Sequence, residues 1–293
     1  VRVDRVGALG VSWIEGVEAE VFDPEGRRVL ALHGVSARLG TLTVLRSLLR
    51  GNRLVVHLPE LHVDWAHVLL EEDAAGELGL VRAFESRAPA TGQPASAAGP
   101  EISIAEIHVN HLWAHGHTAA VPVIDADLDD LSGAFTSTPE RTAMDIHRLA
   151  LRGRGLPGIN PEGSLSASLS LPAGQESGSR ASARYEGQVG EIPVIGTGAL
   201  TGKQIDVVVD VLETMPGAIA ALAPGRIQLG APVSAHAEVH GELPVLAPVL
   251  RARIGEGEIR AGGAVVLPVG PRTELLALVK ASVKDLDVSL LQQ

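Results

Sequence analysis

At 293 residues the chain is long enough for about two domains. Its 35 acidic residues outnumber 24 basic ones, for a formal net charge of −11, and no basic stripe breaks that balance, which excludes a nucleic-acid surface built on clustered Lys and Arg. Mean hydropathy is +0.21, yet no apolar run reaches the ~18 residues of a membrane-spanning helix, and without cysteine there is neither a disulfide framework nor thiolate chemistry.

The first pattern in the chain is a hairpin. Val17, Ala19 and Val21 alternate with Glu18 and Glu20, Asp23-Pro24-Glu25-Gly26 is a turn in which Pro sets φ and Gly closes the loop, and Val29–Leu39 returns antiparallel. Between Gly34 and Trp65 the period changes twice. After the strand residues Val35, Ala37 and Leu39, the stretch from Thr41 to Arg50 puts Leu42, Leu45, Leu48 and Leu49 on one helical stripe, which predicts a short helix stopped by Gly51 and lying on the hairpin's apolar face. The period then returns to two. Leu54, Val56 and Leu58, followed by Leu61, Val63 and Trp65, form an apolar face opposite Glu60, His62 and Asp64.

A leucine-rich helix ending in Gly and followed by NRLVVHLPELHVDW (Asn52–Trp65) resembles the N-terminal region of AsmA-like and TamB-like proteins. The resemblance is best over Gly34–Gly133, and the late segment ELLALVKASVKDLDVSLL (Glu274–Leu291) is similar to the strand followed by Asp-Leu-Asp that separates modules in that family. It implies an apolar β-groove that carries phospholipid between the inner and outer membranes of a Gram-negative cell. It also implies a periplasmic location, an inner-membrane anchor and an outer-membrane β-barrel assembly factor as partner. With no initiator Met and no signal-like segment, the chain is expected to be a fragment from which such an anchor has been cut.

Ala66–Phe84 is acidic and less periodic, and ESRAPATGQPASAAGP (Glu85–Pro100) holds almost no large apolar side chain, which predicts a flexible linker. The expected organisation is therefore a hairpin and helix module over 1–84, a linker over 85–100, and a continuing β region over 101–293. In that last region Ile102 and Ile104, then Leu165, Ala167 and Leu169, then Ile205, Val207, Val209 and Val211, then Val233, Ala235, Ala237 and Val239 each alternate with mostly polar neighbours. Gly and Pro punctuate the strands at short intervals, and Thr214–Leu222 alone reads as helical. The fold class is mainly β, an elongated antiparallel sheet curled into a trough with a few short helices, strands making up about half the residues and helices under a fifth. Aromatic residues are 2% of the chain, which fits a thin sheet without a thick core and equally a bias toward Ala, Val, Gly and Arg.

Three constellations bear on chemistry. His108, His111, His115 and His117 crowd into ten residues, and His115 and His117 share a strand face, but there is no Cys, no paired Glu at metalloprotease spacing and no carboxylate evident to support a ligating ring, so they read as polar-face histidines. Asp125, Asp127, Asp129 and Asp130 begin like a calcium loop, yet Asp130 stands where Gly is required and Thr136 where Glu is required, so they read as a strand face. Gly196, Gly198, Gly202 and Lys203 fit neither phosphate-loop fingerprint, and no Gly-x-Ser-x-Gly elbow occurs. The reading is of a non-enzyme with no cofactor, no metal and no catalytic residue.

Two functions are consistent with that. Acyl chains gain about 0.8 kcal/mol per buried CH₂ and need no polar constellation, so an uncovered apolar face suits lipid. Its lining residues would be Leu54, Val56, Leu58, Val63, Ile104, Leu165, Leu169, Val207 and Val209. The alternative is a self-filled β-solenoid or stalk, or a scaffold for translocation and assembly of outer-membrane proteins.

Overall fold

The computed structural model describes residues 2–41, 55–73, 76, 78–84, 101–118, 123–154, 160–172, 178–222, 228–267, 276–285 and 291–292. Among the described residues strand dominates, at 79% against 5% helix, in one 16-stranded, mostly antiparallel sheet and one two-stranded ribbon. The helix expected over Leu42–Arg50, the linker Glu85–Pro100 and the candidate Leu54 lie outside the described residues.

The chain forms two compact units, Val1–Gly155 with Leu169–Gly174, and Leu156–Ser168 with Gln175–Gln293. The first contains β1 (Arg2–Arg5), β2 (Ala8–Leu9), β3 (Trp13–Phe22), β4 (Arg28–Arg38), β5 (Val55–Glu71), α1 (Gly79–Phe84), β6 (Glu101–His117), β7 (Ile124–Ser137) and β8 (Arg141–Arg154). β9 (Pro161–Pro172) is divided between the units. The second holds β10 (Arg180–Val189), β11 (Ile192–Thr201), β12 (Gln204–Thr214), α2 (Pro216–Leu222), β13 (Gln228–Leu229), β14 (Val233–Glu242), β15 (Val245–Ile254), β16 (Gly257–Val266), β17 (Leu276–Lys284) and β18 (Leu291–Gln292). Each strand pairs with its neighbour in sequence order apart from β2, which pairs only with β3, and the β13–β18 ribbon; β1 and β17 end the order unpaired with each other, so the sheet is not a closed barrel.

The β3–β4 hairpin forms where the alternation placed it. Asp23 N–H donates to the Arg27 carbonyl at 2.9 Å, Gly26 N–H to the Asp23 carbonyl at 3.0 Å, and Gly26 takes φ +85°, which only glycine adopts freely. The next connection departs from the expected meander. β5 and β6 run parallel, from Val55↔Glu101 to Glu71↔His117, where the other described registers are antiparallel. A parallel pair needs a long crossover, here Glu72–Pro100, and α1 lies in it. The first unit therefore continues across the expected linker, because the strands on either side of it are partners.

β5 also runs on to Glu71 through residues with no clean alternation. α1 packs on β4 and β5 there, and His67–Glu71 are all half-buried, so the contrast between an apolar and a wet face is lost at that end. Buried residues of this unit lie on both sides of the sheet: Val29, Ala31, Val63, Val109 and Leu131 on one, Val21, Ala66 and Ala114 on the other. In the second unit the buried residues Ile192, Thr214, Ala218, Ala231 and Ile254 sit at strand ends, in α2 or beside it. The middle of that sheet has no buried core.

Candidate functional site

The alternation in β10–β17 aligns across the sheet because consecutive strands meet in antiparallel register, which keeps cross-strand partners on one side. One row is Gly196, Val209, Ala237, Leu250, Ala261 and Ala281; the next is Val194, Val211, Ala235, Ala252, Ile259 and Val283; a third is Leu200, Ile205, Gly241, Leu246, Val265 and Ala277. Together they make one apolar face without a charged side chain. Tyr185 is its one aromatic among the described residues, lying over Gly163 and Gly187, with its hydroxyl within 3.1 and 2.9 Å of the Glu162 and Gln188 carbonyls. Burial raises the Tyr185 phenol above its ordinary pKa. A Cβ on Gly187 would sit 2.3 Å from the Glu162 carbonyl oxygen, so a glycine is required where the two strands approach.

No described element packs over this face. The substantial contacts in the unit run between neighbouring strands and between α2 and β13. Val207 and Val209 are half-buried, Leu250 is 39% exposed and Val283 59%, and no described side chain in the chain is buried beyond 98%.

The opposite face is polar and internally paired. Asp210 faces His236 and Asp206 faces His240 across β12 and β14, with Glu238 between the two imidazoles on its own strand. His236 donates from Nδ1 to Asp210 at 2.6 Å and from Nε2 to Glu238 at 2.6 Å; His240 donates from Nδ1 to Asp206 at 2.8 Å and from Nε2 to Glu238 at 3.2 Å. Since ionised carboxylates only accept, each ring can donate to both of its partners only as the doubly protonated imidazolium, so the arrangement favours that form. The Asp210 hydrogen bond raises the His236 pKa, followed by that of Glu238; Asp206 and then Glu238 raise that of His240; the two imidazoles hold Glu238 below the usual carboxylate range. Further along, Arg260 donates to Glu258 through two bonds of 2.7 and 2.9 Å.

The expected lining residues do not all fall together. Val207 and Val209 sit centrally on the apolar face of the second unit, and Leu165 lies on β9 on the side away from Ser168, whose hydroxyl meets that of Ser182 on the polar face. Leu169 follows on the same side of β9 and is 39% exposed. In the first unit Leu58 and Ile104 are direct partners, with Val56 two residues away on the same side, but Val63 is on the other side. The expectation needed the face to switch at Pro59, and β5 passes through Pro59 with unbroken register against β6. On the other side the chain after β4 stays beside β5 past Pro59, with Gly40 N–H donating to the His57 carbonyl at 2.8 Å. Val56 and Leu58 thus share a face with Glu60, His62 and Asp64.

The histidine-rich strand also resolves by register. His111, His115 and His117 share one side of β6 and His108 the other, and among the described residues no three ligating side chains converge as a metal site. Asp125, Asp127 and Asp129 lie opposite His115, Trp113 and His111, while Asp130 sits at an irregularity of β7 with φ 53°. Trp113 donates its indole N–H to Asp125 at 2.9 Å and His111 Nδ1 donates to Asp129 at 2.7 Å. Gly202 and Lys203 form the β11–β12 turn.

One cluster escaped the sequence reading. The tripeptide Trp-Ala-His occurs at 65–67 and at 113–115, and the parallel register lays the two copies beside each other, offset by two residues. His67 stacks on Trp113 at 4.8 Å and 13°, and on His115 at 4.5 Å and 20°; Trp65 joins His67 at 5.8 Å and His33 at 5.2 Å. The repeated tripeptide was the available signal.

Comparison with protein-family models, with curated proteins and with solved structures finds no match. The architecture defines the class: an open, mostly antiparallel sheet with an apolar face in its second unit that no described element covers.

Proposed function

We propose that the apolar face of the second unit binds the acyl chains of a lipid, that the sheet there forms the wall of a trough with this face inward, and that the protein moves phospholipid. The single observation that carries the reading is the uncovered, charge-free face built on Val207, Val209, Ala237, Leu250 and Ile259. Exposed apolar surface of this continuity marks a binding surface in a soluble chain. A self-filled solenoid, the competing reading, would hold these residues at the few per cent exposure of a packed interior, whereas Leu250 is 39% exposed. The resemblance of Asn52–Trp65 to AsmA-like and TamB-like sequences supports a setting between two membranes, with an outer-membrane β-barrel as partner. The protein acts in this reading by burial alone, without cofactor or catalysis.

The test is photo-crosslinking from a probe at Val207 or Val209 in membranes, with mass spectrometry of lipid that co-purifies with the chain. Lipid adducts at both positions, and none from a probe at Asp206 on the polar face, are expected. A folded protein that carries no lipid and gives no adduct at either valine refutes the proposal.

A further inference from the structure

In a chain whose aromatic residues are 2% of the total, two of the three tryptophans meet three histidines in one cluster, and that cluster straddles the β5–β6 joint, where the described antiparallel order is broken. Within it Nε2 of His67 meets Nε2 of His115. Two imidazole nitrogens in contact hold one hydrogen between them: one ring donates N–H, the other accepts with its bare nitrogen.

We propose that the His67–His115 pair is an acid-sensitive latch on the parallel joint, closed while at least one of the facing nitrogens is bare and opened when both rings become imidazolium. The first proton added to the neutral pair goes to the outer nitrogen of the donating ring and leaves the contact intact. The second must go to the bare Nε2, which sets N–H against N–H and one positive ring against another. The rings then separate, releasing Trp113 from His67 while the backbone ladder of β5 and β6 persists.

The groups around the pair do not remove this conflict. Glu20 is held by Arg28, Glu71 by Arg27, Asp125 by the Trp113 indole and Asp129 by His111. Asp127 lies on β7 opposite Trp113, with Arg152 as its partner in register on β8; His33 flanks Trp65, and His117 lies opposite Glu71. Burial, then the charge of His115, then that of Arg28 lowers the His67 pKa, which agrees with resistance to the second proton.

The experiment uses the full chain with Trp13→Phe, so that Trp65 and Trp113 alone report. Tryptophan emission and near-ultraviolet circular dichroism are followed from about pH 8 to about pH 4.5, with far-ultraviolet dichroism in parallel, against the ordinary histidine value of about 6.5. The expected result is a reversible tryptophan transition with its midpoint below that value and an unchanged strand signal. In His115→Gln, and separately in His67→Gln, the amide can accept from the remaining imidazolium, so the transition should move up by about one pH unit or vanish. The proposal is overturned if wild type shows no tryptophan transition in this range, if neither variant moves the midpoint, or if the strand signal is lost at the same midpoint, which would make the event global unfolding.

Discussion

Leu58 and Val63, five residues apart on one strand, point to opposite sides of the sheet, and that relationship separates two kinds of apolar residue in this protein. Val63 is 4% exposed, whereas Leu58 is half-buried on the side that carries Glu60 and His62. A carboxylate at Val63 would be buried without a partner, so Val63→Asp should destabilise the first unit by about 3 kcal/mol or more, and Leu58→Asp by about 1 kcal/mol. Denaturant midpoints of the two variants check the order; equal losses would show that both sides are packed alike.

In the second unit the same substitution should be tolerated. Val207→Asp adds a charge to a face that water reaches, so its effect on stability should stay within about 1 kcal/mol while lipid crosslinking from a neighbouring probe at Val209 falls. Melting temperature and adduct yield, measured on one preparation, check it. Unfolding of Val207→Asp would mean that the face is covered and would favour the solenoid.

The paired imidazoles of β14 respond to pH in the sense opposite to the proposed latch. Folding raises the pKa of His236 and His240, so their contribution to stability is complete below the ordinary histidine value and is lost as pH rises through the raised folded values. Titration of the imidazole protons by NMR should place both midpoints above about 6.5. Asp210→Asn should lower that of His236 with little effect on His240, whose Nδ1 partner is Asp206.

At the β3–β4 turn, Asp23 is 5% exposed and accepts the Arg27 backbone N–H and Nε, each at 2.7 Å. Burial pushes its pKa up, but the hydrogen bonds from Arg27 outweigh it and the net displacement is downward. Asp23→Ala should therefore cost about 1–3 kcal/mol, the range for a hydrogen-bonded charged group at a buried position. In wild type that stability is present above the ordinary carboxylate value and is lost as pH falls through the lowered one, and acid unfolding of the two proteins compares them.

The alternation of Ile205, Val207, Val209 and Val211, and of Ala235, Ala237 and Val239, determined which side chains share a face, because successive residues of any extended strand point to opposite sides whatever they pair with. The turn at Asp23–Gly26 and the helix ending at Leu222 were legible for the same reason: proline, glycine and helical spacing act through the local chain. Partner and direction are different quantities. That β5 meets β6 in parallel, 46 residues on, so that Trp65 faces His111 and His67 faces Trp113, was decided by which strands the fold brings together, and no local period encodes that. Nor could spacing tell whether Pro59 switches the face of β5, since that depends on the strand it pairs with, here β6, whose register is the same on both sides of Pro59. Whether the apolar face of β10–β17 lies covered or open was also decided by tertiary structure alone, because a strand with one apolar side shows the same alternation against a packed layer as against an empty one.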